Sequence, residues 1–187
     1  MEKVTYLLQK WASGKRVFWL FIVTMTVYLT MLLYTIPTVG KFAPETPLFD
    51  LSPAGYSYES AIALLETLGT EGRATYLTLQ LPLDFIYPAL FIISNSLLLT
   101  WLFSKVYIAT SKVYYLAIIP FFGGLFDYLE NIFIILMINS FPNVSPALSS
   151  LASAFTILKS GFTTLFYFLL IWALFQFFKN KRKVSDS

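Results

Sequence analysis

Three carboxylic acids and one amine stand inside, or at the mouth of, strongly apolar runs of this chain: Asp84, Asp127, Glu130 and Lys159. A charge in hydrocarbon costs roughly 2.5–3.5 kcal/mol even on lenient insertion scales, so such side chains turn toward a bundle interior or a wet cavity. Crowded carboxyls in a dry site share protons unequally, and one can donate while its neighbour accepts. In an acid–base reading Glu130 is the candidate acid, and Asp127 or Asp84 the base or the stabiliser of a developing cation. The same groups suit capture of an amine or a hydrophobic cation, with Tyr76, Tyr87, Tyr128 and Tyr167 as candidate cation–π partners. All four ionisable residues are candidate catalytic groups, and enzyme and binder stay open.

Their surroundings are patterned. Arg73, Tyr76, Gln80, Asp84 and Tyr87 recur at spacings of three and four, so they share one helical face. Asp127, Glu130 and Asn131 fall at i, i+3 and i+4. Thr156, Lys159, Ser160, Thr163 and Tyr167 make a third polar face. Arg73, Tyr76, Gln80, Asn131, Ser160 and Thr163 are the candidate ligand-binding residues. Pro82 and Pro88 bracket Asp84, and each removes a backbone donor. Carbonyls freed there must find partners elsewhere. Pro120 and the pair Gly123-Gly124 imply a bend or a close helix crossing before Asp127. A purely structural alternative competes: Lys159 only pairs with Asp127 or Glu130, and Asp84 caps a kinked helix near interfacial water.

Elements able to position these groups follow from composition. Of 187 residues, 57% are hydrophobic and 12% charged. Soluble domains carry about 25% charge, so the chain belongs in a bilayer. Four apolar runs can cross about 30 Å of hydrocarbon, at about 17–39, 78–103, 113–138 and 149–178. The expected fold is an all-α, single-domain, four-helix transmembrane bundle over 1–187, with an outer loop at about 40–77. The first run is too long for a secretory signal and reads as a retained anchor. Counted at 1.5 Å per residue, Asp84 lies roughly 30 Å from the inner edge, Asp127 about 22 Å, Glu130 about 27 Å and Lys159 about 28 Å. The expectation is a polar pocket open outward and sealed on the cytoplasmic side.

Lysines and arginines set the orientation. Lys3, Lys10, Lys15 and Arg16 precede the first run, Lys105 and Lys112 flank the turn between the second and third, and Lys179, Lys181, Arg182 and Lys183 follow the fourth. The long loop holds Glu45, Asp50, Glu59, Glu66 and Glu71 against Lys41 and Arg73. Positive-inside then places both termini in the cytoplasm of a multi-pass cell-membrane protein. Pro44, Pro47 and Pro53 punctuate an extended stretch of that loop. After it, Tyr58, Ala61, Ile62, Leu65 and Leu68 fall at helical spacing, with Ser57 as N-cap and Gly69 as C-cap. This predicts a short amphipathic helix, lying on the outer interface or folded over the bundle as a lid.

Absent residues exclude whole chemistries. With no cysteine and no histidine there is no disulfide redox chemistry, no haem or zinc held by these ligands, and no Ser-His or Cys-His nucleophile. No spacing matches a metal loop. The net charge of +3 sits at membrane edges and does not point to nucleic acid.

Gly72-Arg73-x-x-Tyr76, Asp84-x-x-x-Pro88 and Phe126-Asp127-Tyr128-Leu129-Glu130-Asn131 together resemble a family of small, uncharacterised bacterial four-span membrane proteins. The resemblance spans the first to the fourth run and implies no activity. The architecture is also similar to the four-helix sterol-isomerase fold, whose membrane carboxylates hold a cationic ligand or intermediate, but no motif matches residue by residue. The functional expectation is an outward acidic pocket that binds or processes a small amphiphile or lipid. The alternatives are an accessory subunit without chemistry and a proton- or cation-coupled transporter. Four spans without an internal repeat argue against transport unless a homodimer supplies the other half.

Overall fold

The computed structural model describes residues 2–185, with side chains through Arg182, so the side chain of Lys183 lies outside the described residues. No strand occurs among the described residues. Four helical stretches are long and apolar enough to cross a membrane: Gly14–Gly40, Tyr58–Ser104, Lys112–Ser140 and Pro146–Arg182. Each of the four expected apolar runs falls inside one of them. Leu, Ile and Phe occupy all sides of these helices, as suits elements surrounded by protein or lipid.

A further helix precedes them. Helix α1 (Glu2–Trp11) places Val4, Leu7, Leu8 and Trp11 on one face, with Glu2 in the first turn and Lys10 in the last, both matched to the helix dipole. Extended Ser13 then turns the chain into α2 (Gly14–Thr30). Read for its lysines alone, this segment looks like a charged flank. The apolar spacing 4-7-8-11 is its helical signal.

Two helices contain matched distortions. Helix α2 passes through a π turn at Met31–Thr35 and resumes as α3 (Ile36–Gly40). A second π turn, Tyr76–Gln80, joins α4 (Tyr58–Thr75) to α5 (Leu81–Ser104). Proline follows each almost at once, as Pro37 and Pro82. A proline ring collides with the carbonyl four residues earlier, and a widened turn relieves that collision.

Helix α4 breaks at Gly69, whose φ of 61° and ψ of −173° are open essentially to glycine alone. Before the break, Ser57 Oγ accepts from the Ser60 amide at 3.2 Å and caps the helix start. Arg73 Nη1 donates to the Leu65 carbonyl at 2.6 Å, satisfying an acceptor near the break, and its guanidinium lies 4.4 Å over the Phe141 ring.

A 3-10 stretch, Lys112–Ile118, leads into α6 (Ile119–Ser140), which pairs along its length with α7 (Pro146–Ser185). Helix α5 is central and packs against α2, α6 and α7. The glycine pair makes this possible. A Cβ on Gly123 would lie 3.4 Å from Thr163 Oγ1 of α7, and one on Gly124 would lie 2.9 Å from the Pro88 carbonyl of α5.

Two apolar cores result. One joins Val39, Ala43, Leu48, Phe49, Leu64, Leu65, Leu68, Leu81, Ile134 and Ala152. The other joins Phe91, Leu99, Leu102, Phe103, Tyr114 and Phe166. The 41–57 loop is therefore not simply extended. It folds back and buries Leu48 and Phe49 against the bundle, because these apolar side chains gain more from the core than from solvent. At the other end, Gln9 Nε2 donates to the Ala109 carbonyl and Asn180 Nδ2 to the Lys105 carbonyl, which ties α1, the 105–111 turn and the end of α7 together.

Candidate functional site

Between the two cores lies a layer of polar side chains. On α5, Asp84 comes after Leu81 of one core and before Phe91 of the other. On α7, Thr156 and Lys159 fall between Ala152 and Phe166 in the same way. Helical spacing turns Asp127, Glu130 and Asn131 of α6 to the face that meets both partners.

Lys159 is the hub. Its Nζ lies 2.8 Å from Asp127 Oδ1 and 2.7 Å from Glu130 Oε2. Glu130 also accepts from Thr156 Oγ1 at 2.6 Å. Asp84 belongs to the same cluster, since its carboxyl interacts with Asp127, Asp50 and Lys159.

Asn131 answers a specific backbone need. Pro88 has no N–H to give the carbonyl of residue 84, four positions earlier. Asn131 Nδ2 donates to that Asp84 carbonyl at 2.7 Å. The amide fills a hydrogen bond that the helix itself cannot make, and its Oδ1 remains buried without a partner. Asp84 Oδ2 is likewise buried with no partner.

Loop 41–57 closes the cluster. Asp50 accepts from the Tyr76 hydroxyl and from Gln80 Nε2, the latter at 3.3 Å. Gln80 in turn accepts from Thr35 Oγ1, so the last residues of the two π turns meet. Six residues on, the Tyr56 amide donates to Ser153 Oγ of α7 at 2.9 Å. Gly55 permits that approach: its φ is 81°, and a Cβ would lie 2.6 Å from Ser153 Oγ. The Tyr56 phenol is buried near Glu130 and Thr156, and burial first, then the Glu130 carboxylate, pushes it well above its ordinary range. Its hydroxyl is neutral and buried without a hydrogen-bond partner.

Of the residues singled out by sequence, Asp84, Asp127, Glu130, Asn131 and Lys159 come together, and Tyr76 and Gln80 join them through Asp50. Arg73 does not: its guanidinium is spent on Leu65 and Phe141. Ser160 and Thr163 stay outside the hydrogen-bonded cluster, and Thr163 packs against Gly123. Tyr128 pairs with Phe85 at 5.9 Å, Tyr87 with Tyr28 at 5.7 Å and Tyr167 with Phe166 at 5.1 Å. Asp50, Tyr56, Thr35 and Thr156 complete the site. Thr156 was legible on its helical face. Asp50 and Tyr56 stand in a loop, where spacing carries no positional information; their one signal is an acid and a phenol set among Leu48, Phe49 and Leu51.

The site is also closed. Asp84 and Glu130 are each 1% exposed, and the Lys159 side chain is 22% exposed. Where an open pocket was expected the cluster is largely buried, with the apolar residues of loop 41–57 and the first segment of α4 packed in the core that adjoins it. No group of three or more acidic side chains among the described residues is arranged to hold a metal ion. No protein-family model, curated protein or solved structure matches the chain.

Proposed function

We propose that this chain is a multi-pass cell-membrane protein that binds a small amphiphile through a cationic or hydrogen-bond-donating head, taken from the outer leaflet. The observation that carries this reading is the charge balance of the closed layer. Asp127 and Glu130 pair with one ammonium, Asp84 is buried beside them and feels the same charges, the half-buried Asp50 adds a fourth carboxyl, and Asp84 Oδ2 has no donor. Uncompensated buried charge costs several kcal/mol per ion, so such a layer takes up protons or a cation. A ligand ammonium supplies both the charge and the missing donors. Processing of the bound molecule would fall to the same carboxyls, with Glu130 as acid and Asp127 or Asp84 as base.

The lysine and arginine distribution supports a cytoplasmic location for both termini. In this reading the segment 58–68 is the short amphipathic helix of the outer loop and acts with loop 41–57 as a movable cover. Membership of the small bacterial four-span family is part of the same proposal.

Thermal unfolding of the detergent-purified protein with dodecylamine, dodecanol or dodecanoate tests the reading. The amine is expected to raise Tm, and Asp84→Asn to abolish that rise. Equal shifts with all three compounds, or none, would overturn it. One observation favours a second reading, an accessory subunit without chemistry: Lys159 is already paired with two carboxylates and joins α7 to α6. That reading expects the charge-neutral combination Asp127→Asn/Glu130→Gln/Lys159→Met to retain full biological function, whereas the binding reading expects a stable but inactive protein.

A further inference from the structure

A second site lies near the opposite end of the bundle from the carboxylates. Helices α2 and α6 flank α5 on its two sides. The groove beside them is lined by α1, α2, α5 and α6 and has a volume of about 1120 Å³. Its walls are apolar: Leu7 and Trp11 of α1, Trp19 and Val23 of α2, Ile93 of α5 and Phe121 of α6. These side chains keep 45–57% of their surface uncovered although they face one another across the groove. The volume is that of sites for amphiphilic ligands, and somewhat larger than most.

Charge at the groove is one-sided. Lys15 and Arg16 line it, both exposed, and no acidic side chain lines it among the described residues. The Arg16 guanidinium lies 4.8 Å over the Trp11 ring, which holds it at the mouth beside α1. Gly14 lets the α1–α2 corner sit against α5, since a Cβ there would be 3.3 Å from Trp101 Nε1.

We infer that this groove binds an anionic phospholipid, with acyl chain along the α5 face and phosphate on Lys15 and Arg16. An apolar wall alone would accept any lipid tail. Two cations at the mouth, with an interfacial tryptophan on either wall, select a head group of net negative charge. The corner at Ser13 matters because it directs α1 across the groove instead of along α2. This site is independent of the carboxylate layer and does not rest on its proposed ligand.

Native mass spectrometry of the full chain, exchanged into detergent with equimolar phosphatidylglycerol and phosphatidylcholine, tests it. The expected result is one retained lipid with phosphatidylglycerol in excess. Lys15→Gln and Arg16→Gln each lower that excess by roughly fivefold, as removal of a surface cation near a lipid predicts. Thermal unfolding stays unchanged, because both side chains are exposed. Ile93→Trp narrows the groove along α5 and lowers retention of both lipids. Equal retention of the two lipids, no retained lipid, an excess that survives both charge substitutions, or a lipid-free dimer with the groove occluded would each overturn the inference.

Discussion

Asp84 stands four residues before Pro88, and that spacing determines what Asn131 does. A proline strips the donor from a backbone carbonyl, and in a membrane no water replaces it. Asn131→Leu should therefore destabilise the protein by about 1–3 kcal/mol, the cost of leaving a buried acceptor unpaired. Pro88→Ala, added to Asn131→Leu, returns an amide to the Asp84 carbonyl and should restore part of the loss. Thermal unfolding of the four proteins of this cycle checks the coupling, and additive effects would refute it. Lys159 sets a second residue-scale expectation. Breaking a buried pair strands its partner, so Lys159→Met alone should cost about 3–5 kcal/mol. The triple charge-neutral variant with Asp127→Asn and Glu130→Gln should recover most of that loss in a denaturation series.

Element geometry turns on glycines with different duties. Gly124 presses α6 onto α5, where a Cβ would lie 2.5 Å from Ile92 Cγ1 and 2.9 Å from the Pro88 carbonyl. Gly124→Ala should cost about 1–3 kcal/mol through overpacking. Gly161 on α7 has nothing within 4 Å of an added Cβ, so Gly161→Ala should be neutral or stabilise by up to about 1 kcal/mol. Parallel melting curves compare the two, and equal effects would remove the close-crossing argument. The π turns belong to this scale as well. Each ends on a polar residue, Thr35 and Gln80, and their mutual hydrogen bond places Gln80 where it reaches Asp50. Helical periodicity put Gln80 on the right stripe. The widening before Pro82 shifts everything upstream by one residue, which helps separate Arg73 from the cluster it was expected to join.

For the whole molecule, the natural absence of cysteine allows a direct test of topology. Glu45 and Thr110 are both exposed, one in the long loop and one in the 105–111 turn. On intact cells, a membrane-impermeant maleimide should label Glu45→Cys and spare Thr110→Cys until the membrane is opened. The reverse pattern would invert the orientation and move the carboxylate layer toward the inner leaflet. The closed layer also makes access a property of the whole fold. Loop 41–57 is tied to the second π turn through Asp50 and to α7 through Tyr56, so exposing Asp84 and Glu130 requires these elements to separate.

Composition and long apolar runs by themselves determined an all-helical chain with four membrane-competent helices, because hydrocarbon leaves helices as the simplest way to satisfy the backbone. Spacing of three and four also determined which polar residues share a face, and so brought Asp127, Glu130, Asn131 and Lys159 into view. Tertiary structure alone decided that Asn131 serves the carbonyl of Asp84, that Arg73 serves a helix break, and that Asp50 and Tyr56 complete the layer. A helix carries its geometry in local sequence, whereas a loop and a rotamer are positioned by whatever surface the rest of the chain presents to them.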